Sequence, residues 1–451
     1  MPATGVCQRR SLQALAVLAG ISAMAAPVAA TAQPGTLEAV YVVLGGDGAV
    51  ARAILSGTDQ CPAISLGSAT QPMQIRAVPD AGANPAFPVL VCEAPIPADT
   101  VSAEISGRNL PLPKAAIATI AVFGDTGCRL KDAEAQRLDT RNHDHPHDGQ
   151  FQDCDEPAQW PFPDVSRSVA ATKPDLVIHV GDYLYRESAC PAGDTGCKGS
   201  PHGDNWRTWK ADFFAPAAPL LAAALWVVVR GNHETCARAG LGYFRFLFPV
   251  LASVQPPPTS SKPPACTDLT PPYTINAGGR SFLVIDSSNA YDSCAEDACD
   301  SPPYAAQFDA MAPKPGTWFL SHRPIWGVGR NFTMNHTLQL ALDTAANGRL
   351  PSGITLVLSG HMHIFEALSF ADARPPQLIV GTGGTALDRP IDRAMQGMTI
   401  GGATIRAARS DHRFGFLLIR TAAEGAAARF IAVGGQTLFT CALAPDDVTC
   451  R

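Results

Sequence analysis

Five short segments carry side chains that could do chemistry together. They are Gly124-Asp125-Thr126-Gly127, Gly181-Asp182-Tyr183-Leu184-Tyr185, Gly231-Asn232-His233-Glu234, Ser321-His322-Arg323-Pro324 and Gly360-His361-Met362-His363. Any one alone is a weak signal, because an aspartate after a strand is often a helix cap and a lone histidine is often structural. Together they offer carboxylate, phenolate, amide and imidazole donors, the mixed oxygen and nitrogen set that suits metal-assisted hydrolysis. In an extended segment the i, i+2 spacing of His361 and His363 puts both imidazoles on one side, in reach of two adjacent ions, while Met362 points away. Gly124, Gly181, Gly231 and Gly360 stand immediately before the donors, where a strand must turn sharply and its backbone must approach a metal or phosphate closely.

Elements that would position these residues are legible around them. Ile117 to Phe123, Leu176 to Val180, Leu225 to Val229, Phe282 to Ile285, Trp318 to Leu320, Ile354 to Leu358 and Leu378 to Val380 are short apolar runs rich in β-branched residues, as expected of strands buried on both faces. Most end directly in glycine and polar residues, the place where open α/β sheets hold their ligands. Helices are predicted at Val165 to Thr172 and Pro216 to Ala224. Ahead of this α/β pattern, residues 33–115 contain β-like runs such as Ala39 to Leu44 and Val89 to Cys92, and are expected to form a small accessory β domain with a boundary near Pro111-Leu112-Pro113. Arg141 to Cys154, with His143, His145 and His147, and Gln255 to Pro272 are expected as long loops. The alternating histidines are open to two readings, a metal-binding cover or a solvated polar loop.

The chain has 451 residues, 46% hydrophobic and 16% charged, enough for one large domain or two ordinary ones and unlike a disordered tail. A net charge of -6 argues against broad electrostatic capture of nucleic acid or anionic lipid, though it allows a local cationic pocket. Arg9 and Arg10 precede an apolar stretch from Leu12 to about Val28, and Ala30-Thr31-Ala32 supplies small residues, so 1–32 is expected to be a cleaved export signal. Arg9-Arg10-Ser11-Leu12 is similar to a twin-arginine signal, which leaves the export route open. Cleavage would remove Cys7 and leave twelve of the 13 cysteines for disulfides outside the cytoplasm. Neighbours in sequence are Cys190 with Cys197, Cys294 with Cys299 and Cys441 with Cys450, then Cys61 with Cys92, Cys128 with Cys154 and Cys236 with Cys266; sequence alone leaves connectivity open. No C-x2-C-like zinc spacing is present.

The ordered five-segment set resembles the calcineurin-like metallophosphoesterases, and more narrowly the purple acid phosphatases, over roughly residues 117–385. Most members of the superfamily begin with Asp-x-His. Here Asp125-Thr126-Gly127 lacks that histidine, while the purple-type Gly-Asp-x-x-Tyr is present from Gly181 to Tyr185, and Gly381-Thr382-Gly383-Gly384 is similar to the glycine turn that follows the histidine pair. The resemblance implies an α/β fold, a four-layer α/β/β/α sandwich over residues 116–451 behind the small N-terminal β domain. It implies one metal held by Asp125, Tyr185 and His363, a second held by Asn232, His322 and His361, and Asp182 bridging both. Tyrosine ordinarily ionises near pH ~10, so the first ion is expected to be Fe(III); Fe(II), Zn(II) and Mn(II) stay open for the second. Two cations roughly 3.5–4 Å apart would generate a hydroxide nucleophile for attack at phosphorus. By the same resemblance His233 would contact phosphate or protonate the leaving group, and Glu234 would orient His233 or tune it. Arg323 is open to phosphate binding or a structural role.

His179, inside an apolar run, reads as a packed core histidine, and His202, His336 and His412 as candidates for outer contacts. Asn331-Phe332-Thr333 and Asn335-His336-Thr337 match a glycosylation pattern, without meaning in a bacterial chain. The expectation is a periplasmic or secreted binuclear phosphoesterase hydrolysing phosphate monoesters. Its partner would be a small phosphate ester, with no nucleic acid beyond nucleotide substrates and no membrane anchor. A phosphodiesterase or nucleotidase on the same machinery is the nearest alternative, and a non-catalytic exported binding protein a more distant one.

Overall fold

Alternation between two buried faces explains the apolar runs. In the computed structural model, which describes residues 1–5, 35–133, 149–252, 266–372, 374–422 and 425–451, Ile120 and Val122 point to one core while Ala121 and Phe123 point to another. The strand Thr119–Phe123 runs parallel to Leu176–His179, which runs parallel to Leu225–Val228, and the register places His179 opposite both Phe123 and Val228, so the three strands end level. A second parallel block consists of Arg280–Val284, Thr317–Leu320, Ile354–Ser359 and Gln377–Val380. These seven strands cover the seven predicted runs.

Each block is the centre of a larger mixed sheet, one of eleven strands and one of eight. The sheets share a core in which Val122, Ile178 and Val227 of the first pack with Leu320, Leu358 and Val380 of the second. Helices Phe162–Ala171 and Ala215–Leu221, near the two predicted, cover the outer face of the first sheet. Helices Pro302–Asp309 and His336–Ala346 cover that of the second. The layers are therefore α/β/β/α.

The segment expected to be an accessory β domain is divided: four of its strands lie within the larger sheet, while Ala63–Leu66, Ala69–Pro72, Ala103–Ile105 and Arg108–Asn109 form a separate four-stranded sheet. Thr36–Gly45 pairs in parallel with Leu225–Val228, Val43 opposite Trp226, and Gly48–Ser56, Val89–Ile96 and Gln74–Ala77 continue outward from it. Pro34–Arg451 form one unit. Burial of two arginines is the physical reason: Arg52 donates to the carbonyls of Phe246 and Phe248, both at 2.7 Å, and Arg76 donates to Phe244, Arg245 and Phe248. Both guanidiniums meet Glu93, and their donors satisfy carbonyls at the C-terminal end of the helix Gly240–Phe246. At the opposite edge, Gly415–Ala422 pairs with Thr119–Phe123 and leads into the hairpins Gly425–Ala432, Thr437–Ala444 and Asp447–Cys450, which no sequence signal had marked.

All six neighbouring cysteine pairs are bonded: Cys61–Cys92, Cys128–Cys154, Cys190–Cys197, Cys236–Cys266, Cys294–Cys299 and Cys441–Cys450. The body of the expected export signal and the triplet His143, His145 and His147 lie outside the described residues. Among the described residues no helix is long and apolar enough to cross a membrane.

One core carboxyl makes stability depend on pH. Glu366, on the strand Phe365–Phe370, is buried with Oε2 accepting from the Val328 N–H and Oε1 without a partner among the described residues. Burial pushes its pKa up to about 8, so the protonated form suits the fold. The stability it confers is complete below the ordinary carboxyl value of 4.5 and is lost as pH rises through about 8, at a slope of about 1.4 kcal/mol per pH unit. Glu366→Gln is expected to flatten the fall in Tm across that window, and parallel fall in variant and wild type would show that another group controls it.

Candidate metal centre

The carboxyl ends of the two parallel blocks meet at one end of the sandwich, and the five chemistry-bearing segments all leave from there. Asp125, Asp182, Tyr185, Asn232, His322, His361 and His363 are all buried. Their turns are tight. Asp125, Asp182 and His361 have φ of 59°, 58° and 72°, left-handed values that cost a non-glycine residue about 1–3 kcal/mol. Gly181 has φ of 104°, and a Cβ there would lie 2.4 Å from His322 Nδ1. A Cβ on Gly231 would lie 2.0 Å from Asp182 Oδ1. Here glycine is required by contact between segments as well as by turning.

Tyr185 Oη lies 2.9 Å from each of Asp125 Oδ1, Asp182 Oδ2 and His363 Nε2. One phenolic proton cannot serve three acceptors. His363 Nδ1 is 2.9 Å from the Ala386 carbonyl and His322 Nδ1 is 2.8 Å from the Val180 carbonyl, which assigns the proton of each ring to Nδ1 and turns the Nε2 lone pairs inward. His322 Nε2 then faces Asn232 Oδ1 at 2.9 Å and Asp182 Oδ2 at 3.2 Å, again acceptor toward acceptor. Such an arrangement fits cations placed between the groups. Asp182, His322 and His361 also form a buried cluster whose donor atoms all lie within 4.8 Å of one another. A second cluster, Cys190, Asp194 and Cys197, has both sulfurs consumed in a disulfide.

Electrostatics agree with this fit. Burial, then the charges of Asp125 and Asp182, push the Tyr185 phenol well above its ordinary range. Burial and the neighbouring Asp182 push Asp125 up as well. Burial works in the same direction on Asp182, but positive charge on the His322 and His233 rings, when they carry a second proton, holds that carboxyl well below the usual range. Positive charge at the centre would let the phenol and Asp125 ionise together.

His361 is oriented differently from the other two imidazoles. Its Nε2 is taken up by Asp292 Oδ2 at 2.8 Å and Arg323 Nη1 at 2.9 Å, so Nδ1 is the nitrogen left to bind. Asp292 also receives hydrogen bonds from Arg323 Nη1 and, at 3.1 Å, from Asn335 Nδ2. Of the two roles open to Arg323, the contacts describe the structural one: it is buried against the carboxylate that orients His361. Asp292 itself was not anticipated, since it lies in a loop and no strand end announces it.

His233 packs on Tyr185 with ring centroids 3.8 Å apart and planes tilted by 37°, and its backbone N–H donates to Asp182 Oδ1 at 2.8 Å. The expected partner, Glu234, does not contact its ring. The Glu234 carboxylate instead accepts backbone N–H groups from Asp182, Tyr183, Leu184 and Gly231, tying the second segment to the third, and burial followed by the Asp182 charge pushes its pKa up to about 8. Glu187 takes the anticipated role: its Oε1 is 2.9 Å from His233 Nδ1, which also faces the Leu184 carbonyl at 3.1 Å. Arg238 donates to Glu187 from Nε at 2.6 Å. The sequence clue was its place two residues beyond Tyr185, at a position without a motif.

His179 is a core histidine as expected, stacked on Tyr183 at 4.0 Å and bonded to Thr126 Oγ1 at 3.1 Å. His202 and His412 are exposed, and His336 Nδ1 lies against the Cys294 carbonyl at 3.4 Å. None of the three joins the buried cluster.

Comparison with known proteins agrees with this architecture. No curated relative matches the chain. Among solved structures, a purple acid phosphatase isolated from yellow lupin seeds superposes with a TM-score of 0.52 at 12% identity, covering 89% of this chain and 73% of that one. PhoD superposes with the same TM-score and identity, covering 91% of each chain. At such identity these likenesses speak to fold. Residues 118–365, more than half of the chain, match the calcineurin-like phosphoesterase family, and the protein belongs to that family.

Proposed function

We propose that the protein is an exported phosphoesterase with a binuclear metal centre that hydrolyses phosphate monoesters. The observation carrying this reading is the convergence of Asp125, Asp182 and His363 on the Tyr185 hydroxyl, each at 2.9 Å, beside the facing pair His322 and Asn232. Asp125, Tyr185 and His363 would hold one ion, Asn232, His322 and His361 the other, and Asp182 would bridge. Fe(III) suits the phenolate site, with Fe(II), Zn(II) or Mn(II) at its neighbour. Such ions supply activation of water and charge neutralisation on phosphate oxygens.

The chain's own groups would do the rest. Glu187 and the Leu184 carbonyl hold the proton of His233 on Nδ1, leaving Nε2 to bind a phosphate oxygen or to pass a proton to the leaving oxygen. Asp182 anchors the His233 backbone, so the ring is fixed relative to the proposed bridge. Asp292 fixes His361 and Glu234 fixes the turn at Asp182. Export is supported by six disulfides, which persist in oxidising compartments, together with the N-terminal signal pattern.

Three measurements test this reading. On chromogenic substrates, the purified protein is expected to turn over a phosphate monoester, to lose activity on chelation and to regain it with metal; turnover of a diester alone would move the assignment to a phosphodiesterase, and no turnover of either would remove the enzyme reading. Protein from its native compartment should absorb in the visible through an iron-bound Tyr185, a band that Tyr185→Phe abolishes; a colourless, iron-free yet active protein would overturn the iron assignment while keeping the hydrolase. His233→Ala should lower kcat by roughly 10²–10⁴-fold and Glu187→Gln by roughly tenfold or more, with metal content unchanged. Full activity in His233→Ala would remove His233 from the chemistry.

A further inference from the structure

The buried arginines of this protein follow one rule, and Arg129 breaks it. Arg52 and Arg76 meet Glu93, Arg186 meets Asp212, Arg230 meets Asp286, Arg245 meets Asp80, Arg323 meets Asp292 and Arg374 meets Asp372. Arg129 is only 1% exposed, yet among the described residues its Nε and Nη2 have no hydrogen-bond partner and no carboxylate pairs with it. A buried guanidinium without a counter-charge is costly. Its guanidinium carbon lies 4.9 Å from the centroid of the Tyr185 ring. That ring bears the hydroxyl at the middle of the proposed metal centre and packs against His233.

The two unpartnered atoms are also the ones that matter for recognition. Nε–H and Nη2–H point the same way and form the parallel fork that grips two oxygens of a carboxylate or phosphate. Water would fill the hydrogen bonds but supply no negative charge. The arginine is held in place from its backbone. Its N–H donates to Gln152 Oε1 at 2.7 Å, its carbonyl accepts from the Gln152 N–H at 2.8 Å, and the Cys128–Cys154 disulfide joins the two segments beside these bonds. Leu130 N–H donates to the Tyr185 carbonyl at 3.0 Å, tying the same stretch to the ligand-bearing segment.

We infer that Arg129 is an anion-binding residue of this site, its Nε and Nη2 donating to oxygens of the phosphate ester and of the inorganic phosphate released from it. The inference rests on the phosphoesterase reading, and it gives the cation a partner that arrives with the substrate. Bidentate binding by a pre-fixed guanidinium would orient the phosphate without the entropy of ordering a mobile side chain.

Inorganic phosphate is the probe, used with metal-loaded wild type, Arg129→Met and Arg129→Lys. Its affinity is read both as a competitive Ki against a chromogenic phosphate ester and directly by calorimetry. Phosphate affinity is expected to weaken by roughly tenfold or more in Arg129→Met, with a matching rise in KM, and to weaken less in Arg129→Lys, which keeps the charge but loses the fork. Metal content and the visible band should stay as in wild type. Wild-type phosphate affinity in either folded variant overturns the inference, including the case where the visible band moves instead and Arg129 is thereby a partner of Tyr185 alone. Should Arg129→Met not fold, Arg129→Lys decides by the same criterion. Absence of ester hydrolysis by wild type would sink the phosphoesterase reading, and calorimetry with phosphate would still read Arg129 separately.

Discussion

Around the Tyr185 hydroxyl there are more acceptors than protons. Two carboxylates and an imidazole nitrogen approach one phenolic oxygen at 2.9 Å, all of them buried. Beside them the lone pairs of His322 and Asn232 face each other. Such a cluster repels itself unless positive charge is supplied, and the fold must hold it together meanwhile. The left-handed backbone at Asp125, Asp182 and His361 adds to what has to be held.

What holds it is the pair of parallel blocks. Strands that end level deliver their next residues to one plane, and the shared core of Val122, Ile178, Val227, Leu320, Leu358 and Val380 fixes one block against the other. The N-terminal strands brace the first block from its side. Their buried Arg52 and Arg76 satisfy carbonyls at the end of a helix that follows the Asn232 segment, so the edge of the sheet and the ground under His233 are one packed structure. Disulfides tighten the loops that leave this end, Cys128–Cys154 beneath Arg129 and Cys236–Cys266 beyond Glu234.

A layer of charged residues then orients the centre. Asp292 decides which nitrogen of His361 is free, Glu187 does the same for His233, and backbone carbonyls do it for His322 and His363. Glu234 serves the backbone, drawing four N–H groups into one carboxylate. The result is a set of imidazoles each with one committed nitrogen and one lone pair directed inward.

By itself the sequence determined what is local. Apolar runs with alternating faces named the seven central strands, the glycines before Asp125, Asp182, Asn232 and His361 marked their turns, and cysteines near in sequence proved to be bonded partners, because short loops bring such residues together at small entropic cost. The candidate ligands were legible for the same reason, each lying within a few residues of the end of its strand. Tertiary structure decided what depends on approach across long separations. It placed Thr36–Gly45, Gly48–Ser56, Gln74–Ala77 and Val89–Ile96 in the central sheet, because Arg52 and Arg76 find their carbonyls some 170 to 200 residues away, with separations of 168 and 196 in their bonds to Phe244 and Phe248. It also exchanged Glu234 for Glu187, recruited Asp292 and, among the described residues, left Arg129 without a carboxylate. Which groups meet in space is set by packing of whole sheets, and no motif in the sequence encodes those meetings.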